Sequence, residues 1–242
     1  MLSVSVIIPT LHEAANIECV LRALVEQEYS RDDLSFLEII VCDGGSSDGT
    51  PQRARTFAGV LVLETGRGVS RQRNAGAARA SGELLIWMDA DDRPHKKFVA
   101  SAARAYRKFP FAVACPWFVA RDSGTLVRAI YFGFNILFWL GQSTLRTGSG
   151  VCIVAPKRVW QKCGFDENLH LGEDVKFIRE ASPRFGLHRH LLIPLETSGR
   201  RYKQKGAWNL VKFYALISPL ILLGRWRTLQ KLKYEAAPYD KK

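Results

Sequence analysis

Short apolar runs alternate with stretches of helical periodicity along the first half of the chain. The apolar runs have the length and composition of buried strands, and they cover 3–9, 37–43, 59–64 and 83–89. Stretches with helical spacing follow each of them, near 14–28, near 51–58, within 66–82 and from about 96 to 108. Strands that alternate with helices in this way predict a parallel sheet with helices on both faces.

The second half of the chain is less regular. Further candidate strands cover 112–120, 151–156 and 188–196, and short helices are predicted for 156–163 and 173–181. Two more segments, 126–140 and 208–226, are strongly apolar. The elements together predict an α/β fold with a Rossmann-like, mostly parallel central sheet flanked by helices. We expect one domain over residues 1–200 and a basic, amphipathic helical tail over residues 201–242.

Positive charge is concentrated at the end of the chain. The 242 residues carry a formal net charge of +12, and from Ser198 onward 11 Lys and Arg residues stand against only Glu235 and Asp240, a surplus of nine. A basic tail on a nearly neutral body favours an anionic partner, which is membrane phospholipid, a phosphorylated substrate or nucleic acid. Five scattered cysteines without a CxxC pair indicate reduced intracellular thiols, and the first ten residues lack the features of a signal peptide. We therefore expect a cytoplasmic protein.

Three aspartates, Asp89, Asp91 and Asp92, lie at the end of the apolar strand at 83–89. Ligands of an open parallel sheet bind outside the carboxyl ends of its strands, where Asp43 also lies. In an extended segment the carboxylates of Asp89 and Asp91 converge, while Asp92 points away. Converging carboxylates repel unless a cation joins them, and Mg²⁺ or Mn²⁺ binds one or two carboxylates together with substrate phosphates. The alternative is a solvated acidic turn that caps the following helix.

Four stretches of the sequence occur in the order and spacing of one known family. They are VSVIIPTLHEAANI at the start, EIIVCDGGSSDGT, GRGVSRQRNAGAARASGELLIWMDADDRP and TGSGVCIVAPKRVWQKCGFDENLHLGEDVKFIREA, and they extend from residue 4 to about residue 182. Each alone is weakly specific, but the series resembles glycosyltransferase family 2, whose members have the GT-A fold. One departure is His12, where the family usually has Asn before the Glu.

The resemblance implies a nucleotide-diphospho-sugar donor and a divalent metal cofactor, Mn²⁺ or Mg²⁺. Pro9, Thr10 and Glu13 match the family's first nucleotide-binding loop. Asp43 matches the residue that contacts the base of the nucleotide. The donor is therefore expected at the ends of the first strands.

The third stretch carries further matches to the donor site. Arg71 and Asn74 fall in the segment that closes over the nucleotide. Asp89 matches the position near the ribose, and Asp91 matches the metal ligand at the end of the DxD motif. A metal ion at Asp91 would stabilise the negative charge that gathers on the leaving nucleoside diphosphate.

The fourth stretch contains the acidic pair Glu173 and Asp174, which matches the family's catalytic pair. Its Asp is the base in inverting members, and a carboxylate that takes the proton of an acceptor hydroxyl assists attack on the anomeric carbon. The resemblance thus implies a single displacement with inversion, to an acceptor hydroxyl. If the basic tail contacts a membrane, the expected acceptor is a lipid-linked or envelope glycan. Without the preceding motifs, the preferred interpretation of the pair is favourable charge at a helix N-terminus.

Two arginines follow this pair in sequence. Arg200 and Arg201 resemble the arginine-bearing segment that follows the acidic pair in many relatives. A guanidinium group binds diphosphate oxygens through two parallel hydrogen bonds. The alternative is a solvated basic turn.

The apolar segment at 208–224 is short for a membrane span and is interrupted by Lys212 and Pro219. Its aromatic residues and flanking basic residues are typical of a segment that lies in the headgroup region of an anionic leaflet, with 130–141 as a second apolar contact. This interpretation predicts a peripheral location at the inner face of the cell membrane. The alternative is that both segments pack on the catalytic domain or in a dimer interface.

Two other functions are consistent with parts of the sequence. A sugar-phosphate nucleotidyltransferase also has a nucleotide-binding α/β sheet and acidic metal ligands, but it usually has a glycine- and Lys/Arg-rich loop where this chain has PTLHEAANI. A non-catalytic protein that binds an anion or nucleic acid is consistent with the basic tail. The aromatic residues of the tail form an apolar block rather than alternating with arginines, so no nucleic-acid partner is expected.

Overall fold

The computed structural model describes residues 1–232, which form a single mixed sheet flanked by helices. The strands are β1 (Ser3–Thr10), β2 (Phe36–Asp43), β3 (Val60–Glu64), β4 (Leu84–Met88), β5 (Arg93–Pro94), β6 (Val113–Arg121), β7 (Cys152–Pro156) and β8 (His188–Ser198). The helices are α1 (Ile17–Val25), α2 (Thr50–Arg55), α3 (Val69–Arg79), α4 (Phe98–Lys108), α5 (Thr125–Gly141), α6 (Lys157–Cys163), α7 (Glu173–Phe185), α8 (Arg200–Lys205), α9 (Ala207–Leu222) and α10 (Trp226–Leu229). The predicted strands and helices are confirmed, with boundaries that differ by a few residues. The short strand β5 was not predicted from the sequence.

The strands are arranged in the order β3-β2-β1-β4-β7-β6-β8-β5. Strands β3, β2, β1 and β4 run parallel to one another, β7 is antiparallel to both β4 and β6, β8 is parallel to β6, and β5 is antiparallel to β8. The predicted mostly parallel sheet is thus confirmed. The register pairs Thr10 with Asp43 and Ile7 with Trp87, so that β1, β2 and β4 end at the same edge of the sheet.

Each face of the sheet packs against its own group of helices. Successive side chains of a strand point to opposite faces, and β1 therefore contributes to both layers. Val6 and Ile8 share one apolar cluster with Leu21 of α1. Ile7 shares the other cluster with Phe177 of α7. The two layers bury β1, β2 and β4 and leave their carboxyl ends at the rim of the sheet.

The two strongly apolar segments of the second half form α5 and α9. The fully buried Asn135 of α5 ties this helix to β6, because its Nδ2 donates to the carbonyl of Phe118 (2.7 Å) and its Oδ1 accepts from the N–H of Phe118 (3.1 Å). Helix α9 packs beside α5, where the ring centroids of Tyr214 and Phe134 are 5.7 Å apart.

The predicted tail packs against the domain over the part that the structure describes. Helices α8 to α10 contribute to two apolar clusters, one with β6 and α5 and the other around Leu171. Residues 233–242 of the predicted tail lie outside the described residues, and the domain boundary at residue 200 stays a prediction. Within residues 1–232, every helix is too short or too polar to cross a membrane.

Candidate active site

The turn that follows β2 is organised by Asp43. This buried carboxylate accepts hydrogen bonds from the backbone N–H groups of Gly45 (3.0 Å) and Ser46 (2.8 Å). It also accepts from the hydroxyl groups of Ser46 (2.6 Å) and Thr10 (3.0 Å). Asp43 therefore holds the turn against the end of β1, where Pro9 also lies. Contact of Thr10, Asp43 and Pro9 with a nucleotide stays a prediction.

The loop after β1 docks onto the same turn. The backbone N–H groups of His12, Glu13 and Ala14 donate to side-chain oxygens of the turn at 2.8, 2.9 and 3.0 Å. His12 has a φ of 57°, in the left-handed region that Asn and His enter more readily than most residues. His12, which stands where the family usually has Asn, therefore suits the backbone conformation at this position. The loop brings the Glu13 carboxylate into the site.

The aspartates after β4 form a turn rather than an extended segment. The strand ends at Met88, and the N–H of Asp92 donates to the carbonyl of Asp89 (3.2 Å), while the N–H of Asp89 donates to the Asp92 carboxylate (3.1 Å). The prediction that Asp92 points away from the cluster is wrong, because its fully buried carboxylate closes the turn. The turn is also not a helix cap, since α4 begins six residues later at Phe98.

The three aspartates differ in how deeply they are buried, and burial raises the pKa of two of them. It raises the pKa of Asp92 well above the usual range, and the charges of Asp89 and Asp91 raise it further. Enclosure by the surrounding protein also raises the pKa of Asp89, to about 7, although 38% of this side chain is exposed to solvent. The Arg73 guanidinium opposes that rise in pKa, and the charge of Asp91 adds to it. Only 11% of the Asp91 side chain is exposed. The turn thus presents Asp89 and Asp91 to the site and keeps Asp92 inside.

Arg200 connects two of these carboxylates. Its guanidinium lies 2.7 and 3.3 Å from the two carboxylate oxygens of Glu13, and its Nε lies 3.2 Å from Asp91 Oδ2. Arg201 is the next residue of α8, and its positive charge acts on Asp89. The fold therefore brings the basic segment from the end of the predicted domain into contact with the residues predicted to bind the donor and the metal.

The acidic pair begins α7 on the other side of the aspartate turn. Oε1 of Glu173 lies 3.1 Å from Nη1 of Arg73, and the N–H of Val175 donates to Asp174 Oδ1 at 2.8 Å. Burial raises the pKa of Asp174 to about 6; the charge of Glu173 adds to this rise and Arg73 opposes it. A carboxyl with this pKa is largely ionised at neutral pH and still close enough to the working pH to serve as a general base.

Arg73 contacts both the aspartate turn and the acidic pair, and it was not predicted from the sequence as a site residue. Only 4% of its side chain is exposed, and one Nη lies 3.7 Å from Asp89 Oδ1. The guanidinium carbon lies 5.3 Å from the centroid of the Phe165 ring. In α3, Arg73 falls on the inward stripe with Gly76 and Ala77 at helical spacing, and a charged residue on such a stripe is the signal that identifies it.

Arg71 and Asn74 lie on a different part of α3. Arg71 Nε is 3.3 Å from Glu167 Oε2, and more than half of the Arg71 side chain is exposed. Asn74 Nδ2 donates to the carbonyl of Phe165 (2.8 Å), and its Oδ1 accepts from Trp160 Nε1 (3.0 Å) and from the N–H of Phe165 (3.0 Å). These contacts hold the segment that precedes α7, and a role for both residues in closing over a nucleotide stays a prediction.

The residues of the site fit a divalent ion that arrives together with a diphosphate. Among residues 1–232, no three side chains of His, Cys, Asp or Glu come together closely enough to hold a metal by themselves. Mg²⁺ usually takes one or two carboxylates plus phosphate oxygens, and Asp91 supplies such a carboxylate. That carboxylate already binds a cation, the guanidinium of Arg200. Asp91, with Asp89 next to it in the turn, would hold Mn²⁺ or Mg²⁺.

Known proteins resemble this chain in sequence. The family described as Glycosyl transferase family 2 matches residues 5–155. The glycosyltransferase AglE of Haloferax volcanii is 37% identical over 102 residues, which are 40% of this chain and 33% of that protein. The pre-mycofactocin glycosyltransferase of Mycobacterium tuberculosis is 28% identical over 187 residues, which are 71% of this chain and 37% of that protein. The chain thus spans well under half the length of these curated relatives.

Solved structures share the fold. Residues 1–349 of Staphylococcus aureus TarS in complex with UDP superpose with a TM-score of 0.66 at 20% identity, covering 81% of this chain and 60% of that one. The mannosyltransferase PcManGT of Pyrobaculum calidifontis, in complex with GDP-Man and Mn²⁺, gives a TM-score of 0.67 at 24% identity, covering 93% of this chain and 69% of that one. The predicted GT-A fold is thus confirmed. Because the family match extends from β1 to β7 and covers more than half of the residues, the chain belongs to glycosyltransferase family 2.

Proposed function

We propose that this protein transfers a sugar from a nucleotide-diphospho-sugar donor to an acceptor hydroxyl, with inversion at the anomeric carbon. The observation that carries the proposal is the meeting of three groups at one rim of the sheet. These groups are the Asp43 turn, the Asp89–Asp91 turn with Arg200, and the acidic pair that Arg73 links to Asp89. In a family 2 chain, this meeting supports a single site for donor binding and proton transfer.

Asp174 is the proposed catalytic base. The acceptor oxygen forms a bond to the anomeric carbon, its proton passes to an Asp174 carboxylate oxygen, and the bond to the nucleoside diphosphate breaks with its electron pair on the diphosphate. The pKa of about 6 leaves Asp174 ionised at neutral pH, so it accepts this proton without prior deprotonation. Glu173, held by Arg73, stands beside it.

The donor is proposed to bind along the ends of β1, β2 and β4. The Asp43 turn and the loop around Glu13 form the nucleotide end, while Arg200 and Arg201 supply positive charge for the diphosphate. Mn²⁺ or Mg²⁺ at Asp91 would act as a Lewis acid toward the leaving diphosphate. Solved relatives in complex with UDP or with GDP-Man and Mn²⁺ support a nucleotide sugar and a divalent ion here.

The acceptor is proposed to lie at an anionic membrane surface that α5 and α9 contact. Helices α5 and α9 expose large apolar side chains, which are Leu126, Phe132, Leu137, Trp139, Leu140, Trp208, Leu216 and Leu222. The sequence has no Asp or Glu between Asp122 and Asp166 or between Glu196 and Glu235, so both helices lie in purely basic segments. Exposed apolar side chains in segments whose charged residues are all Lys or Arg suit the headgroup region of an anionic leaflet. Such a location favours a lipid-linked or envelope glycan as the acceptor.

A binding and turnover panel tests the proposal. Nucleoside diphosphates and nucleotide sugars are screened by thermal shift with and without Mn²⁺, since a ligand of the native state raises the melting temperature. Hydrolysis or transfer is then followed for the donors that bind. We expect stabilisation by one class of nucleotide, enhanced by Mn²⁺, and release of nucleoside diphosphate. Synthesis of a nucleotide sugar from a sugar phosphate, or no response to any nucleotide, would overturn the proposal in favour of the two alternatives.

A further inference from the structure

Gly150 makes an unusually close approach to the proposed base. A methyl group placed on Gly150 would lie 2.2 Å from Asp174 Oδ2 and 2.9 Å from Asp174 Cγ. Real carbon–oxygen contacts do not reach such a distance, so any side chain at this position displaces the carboxylate. The backbone of Gly150 is not among those with positive φ, which means that the requirement for glycine here is one of space alone.

Arg73 also contacts the backbone of this glycine. Nη2 of Arg73 donates to the carbonyl of Gly150 at 2.9 Å, and Nη1 lies 3.1 Å from Glu173 Oε1. The buried guanidinium thus joins the segment before β7 to the first residue of α7. It also lies 3.7 Å from Asp89, so one side chain contacts the aspartate turn, the Gly150 segment and the acidic pair.

We propose that Arg73 and Gly150 are positioning residues that fix Asp174 for catalysis. Arg73 sets the distance between the Gly150 backbone and α7, and the missing side chain of Gly150 provides the space that the Asp174 carboxylate occupies. This inference rests on the proposed function, in which Asp174 is the base. It assigns a role to two residues that do not touch the reacting atoms.

The charges around Asp174 set its pKa and therefore the pH dependence of the reaction rate. The charged side chains that act on Asp174 are Glu173 on α7 and Arg73 on α3. Burial and the Asp174 charge raise the pKa of the nearby Cys115 thiol on β6, so this group stays neutral. Burial and Glu173 raise the pKa of Asp174, whereas Arg73 lowers it. Loss of the guanidinium therefore raises the pKa further, and the acidic limb of the rate profile moves to higher pH.

The first test substitutes Gly150→Ala and uses Gly133→Ala as the matched control. Gly133 lies in α5 and has no atom within 4 Å of its hypothetical methyl group. A misplacement of about 1 Å costs roughly 10²-fold in rate, so kcat of Gly150→Ala should fall by roughly that factor while the donor KM changes little. Gly133→Ala should keep the wild-type kcat. A wild-type kcat in Gly150→Ala overturns the proposal.

A stability measurement checks the same contact without activity. The melting temperature lost in Gly150→Ala should be smaller when the substitution is made in an Asp174→Ala background, because the two nearest clashing atoms are then absent. The remaining contact, with the Asp174 Cβ, is 3.0 Å. An equal loss in both backgrounds would show that Gly150 does not act through Asp174.

The second test compares Arg73→Met and Arg73→Lys, with Arg79→Met as the control on the exposed end of α3. Arg73→Met should lower kcat and shift the acidic limb to higher pH, Arg73→Lys should restore part of both, and Arg79→Met should change neither. A kcat loss in Arg73→Met without a pH shift would indicate a merely structural role. If Asp174→Asn removes activity but the Arg73 and Gly150 variants keep it, only this inference fails; if Asp174→Asn keeps activity, the proposed base fails.

Discussion

Replacing Arg200 by Ala would remove the guanidinium that contacts the carboxylates of both Glu13 and Asp91. In the structure the guanidinium makes contacts of 2.7, 3.3 and 3.2 Å with these two groups. The exposed fractions of the three side chains are 25%, 13% and 11%, so solvent screens the contacts only in part. The variant therefore tests whether the stability of the fold depends on a cation at the Asp91 carboxylate, the predicted metal position.

The size of the effect follows from the degree of burial. Removal of one partner from a fully buried ion pair costs about 3–5 kcal/mol, and an exposed pair contributes about 0–1 kcal/mol. For this intermediate case we expect a loss of about 2 kcal/mol in the free energy of unfolding, since hydrogen bonds to charged groups contribute about 1.5–3 kcal/mol. In a chain of this length that loss corresponds to a melting temperature lower by about 4–8 °C.

Thermal unfolding with and without Mn²⁺ provides the assay. The ion should raise the melting temperature of Arg200→Ala more than that of the wild type, because it replaces the lost guanidinium at Asp91 and binds only the folded state. Arg53→Ala is the matched control, since it removes an exposed ion pair with Glu18 at 2.7 Å. It should shift the melting temperature little and show the wild-type response to Mn²⁺. Equal behaviour of Arg200→Ala and Arg53→Ala would refute the reasoning.

Three further predictions concern the chemistry and the membrane surface. Asp174→Asn should abolish transfer and keep donor binding, as measured by turnover and by calorimetric titration; normal turnover contradicts the assignment. Because the pKa of Asp174 is about 6 and the base must be ionised, kcat should decline as the pH falls through about 6, and a flat profile from pH 5 to 8 would argue against this base. Phe132→Glu on α5 should reduce flotation with vesicles that contain phosphatidylglycerol, whereas Phe109→Glu, at a similarly exposed site beyond α4, should not. Equal flotation of both variants would contradict membrane contact through α5.

The first half of the fold follows from local patterns. Runs such as 37–43 and 83–89 are apolar on both faces because helices cover both sides of the sheet, and the residues between them repeat at helical spacing. Since parallel strands end at one edge, the amino-acid sequence alone predicts that Asp43 and Asp89 lie near each other. The actual register places Thr10 opposite Asp43 and Ile7 opposite Trp87, so the strands that precede these two aspartates end at one edge, as predicted.

The contacts that define the site in detail depend on distant parts of the chain. Nothing near Asp89 in sequence indicates that the strand stops at Met88 and that Asp92 closes a turn. Arg200 reaches Glu13 across 187 positions, and Arg73 reaches Glu173 across 100. Only tertiary packing brings such groups together, so sequence spacing gives no measure of their distance.

The apolar segments of the second half are difficult to interpret from sequence for a related reason. In α5 one face packs on β6 through Tyr131 and Asn135, while Phe132 and Leu137, outside that face, are exposed. A helix that is apolar on both faces lacks the amphipathic period that identifies helices in sequence. The same holds for α9, whose Leu210 is buried on the domain side.

The central claim is that a divalent ion and a nucleoside diphosphate bind together at the rim formed by β1, β2 and β4. A crystal structure of the protein with Mn²⁺ and UDP or GDP tests it most directly, with the ion located by anomalous scattering. The account predicts an anomalous peak at the Asp91 carboxylate, diphosphate oxygens on the same ion, and the base of the nucleotide beside Asp43. A nucleotide bound elsewhere, or a metal peak away from Asp91, would contradict it.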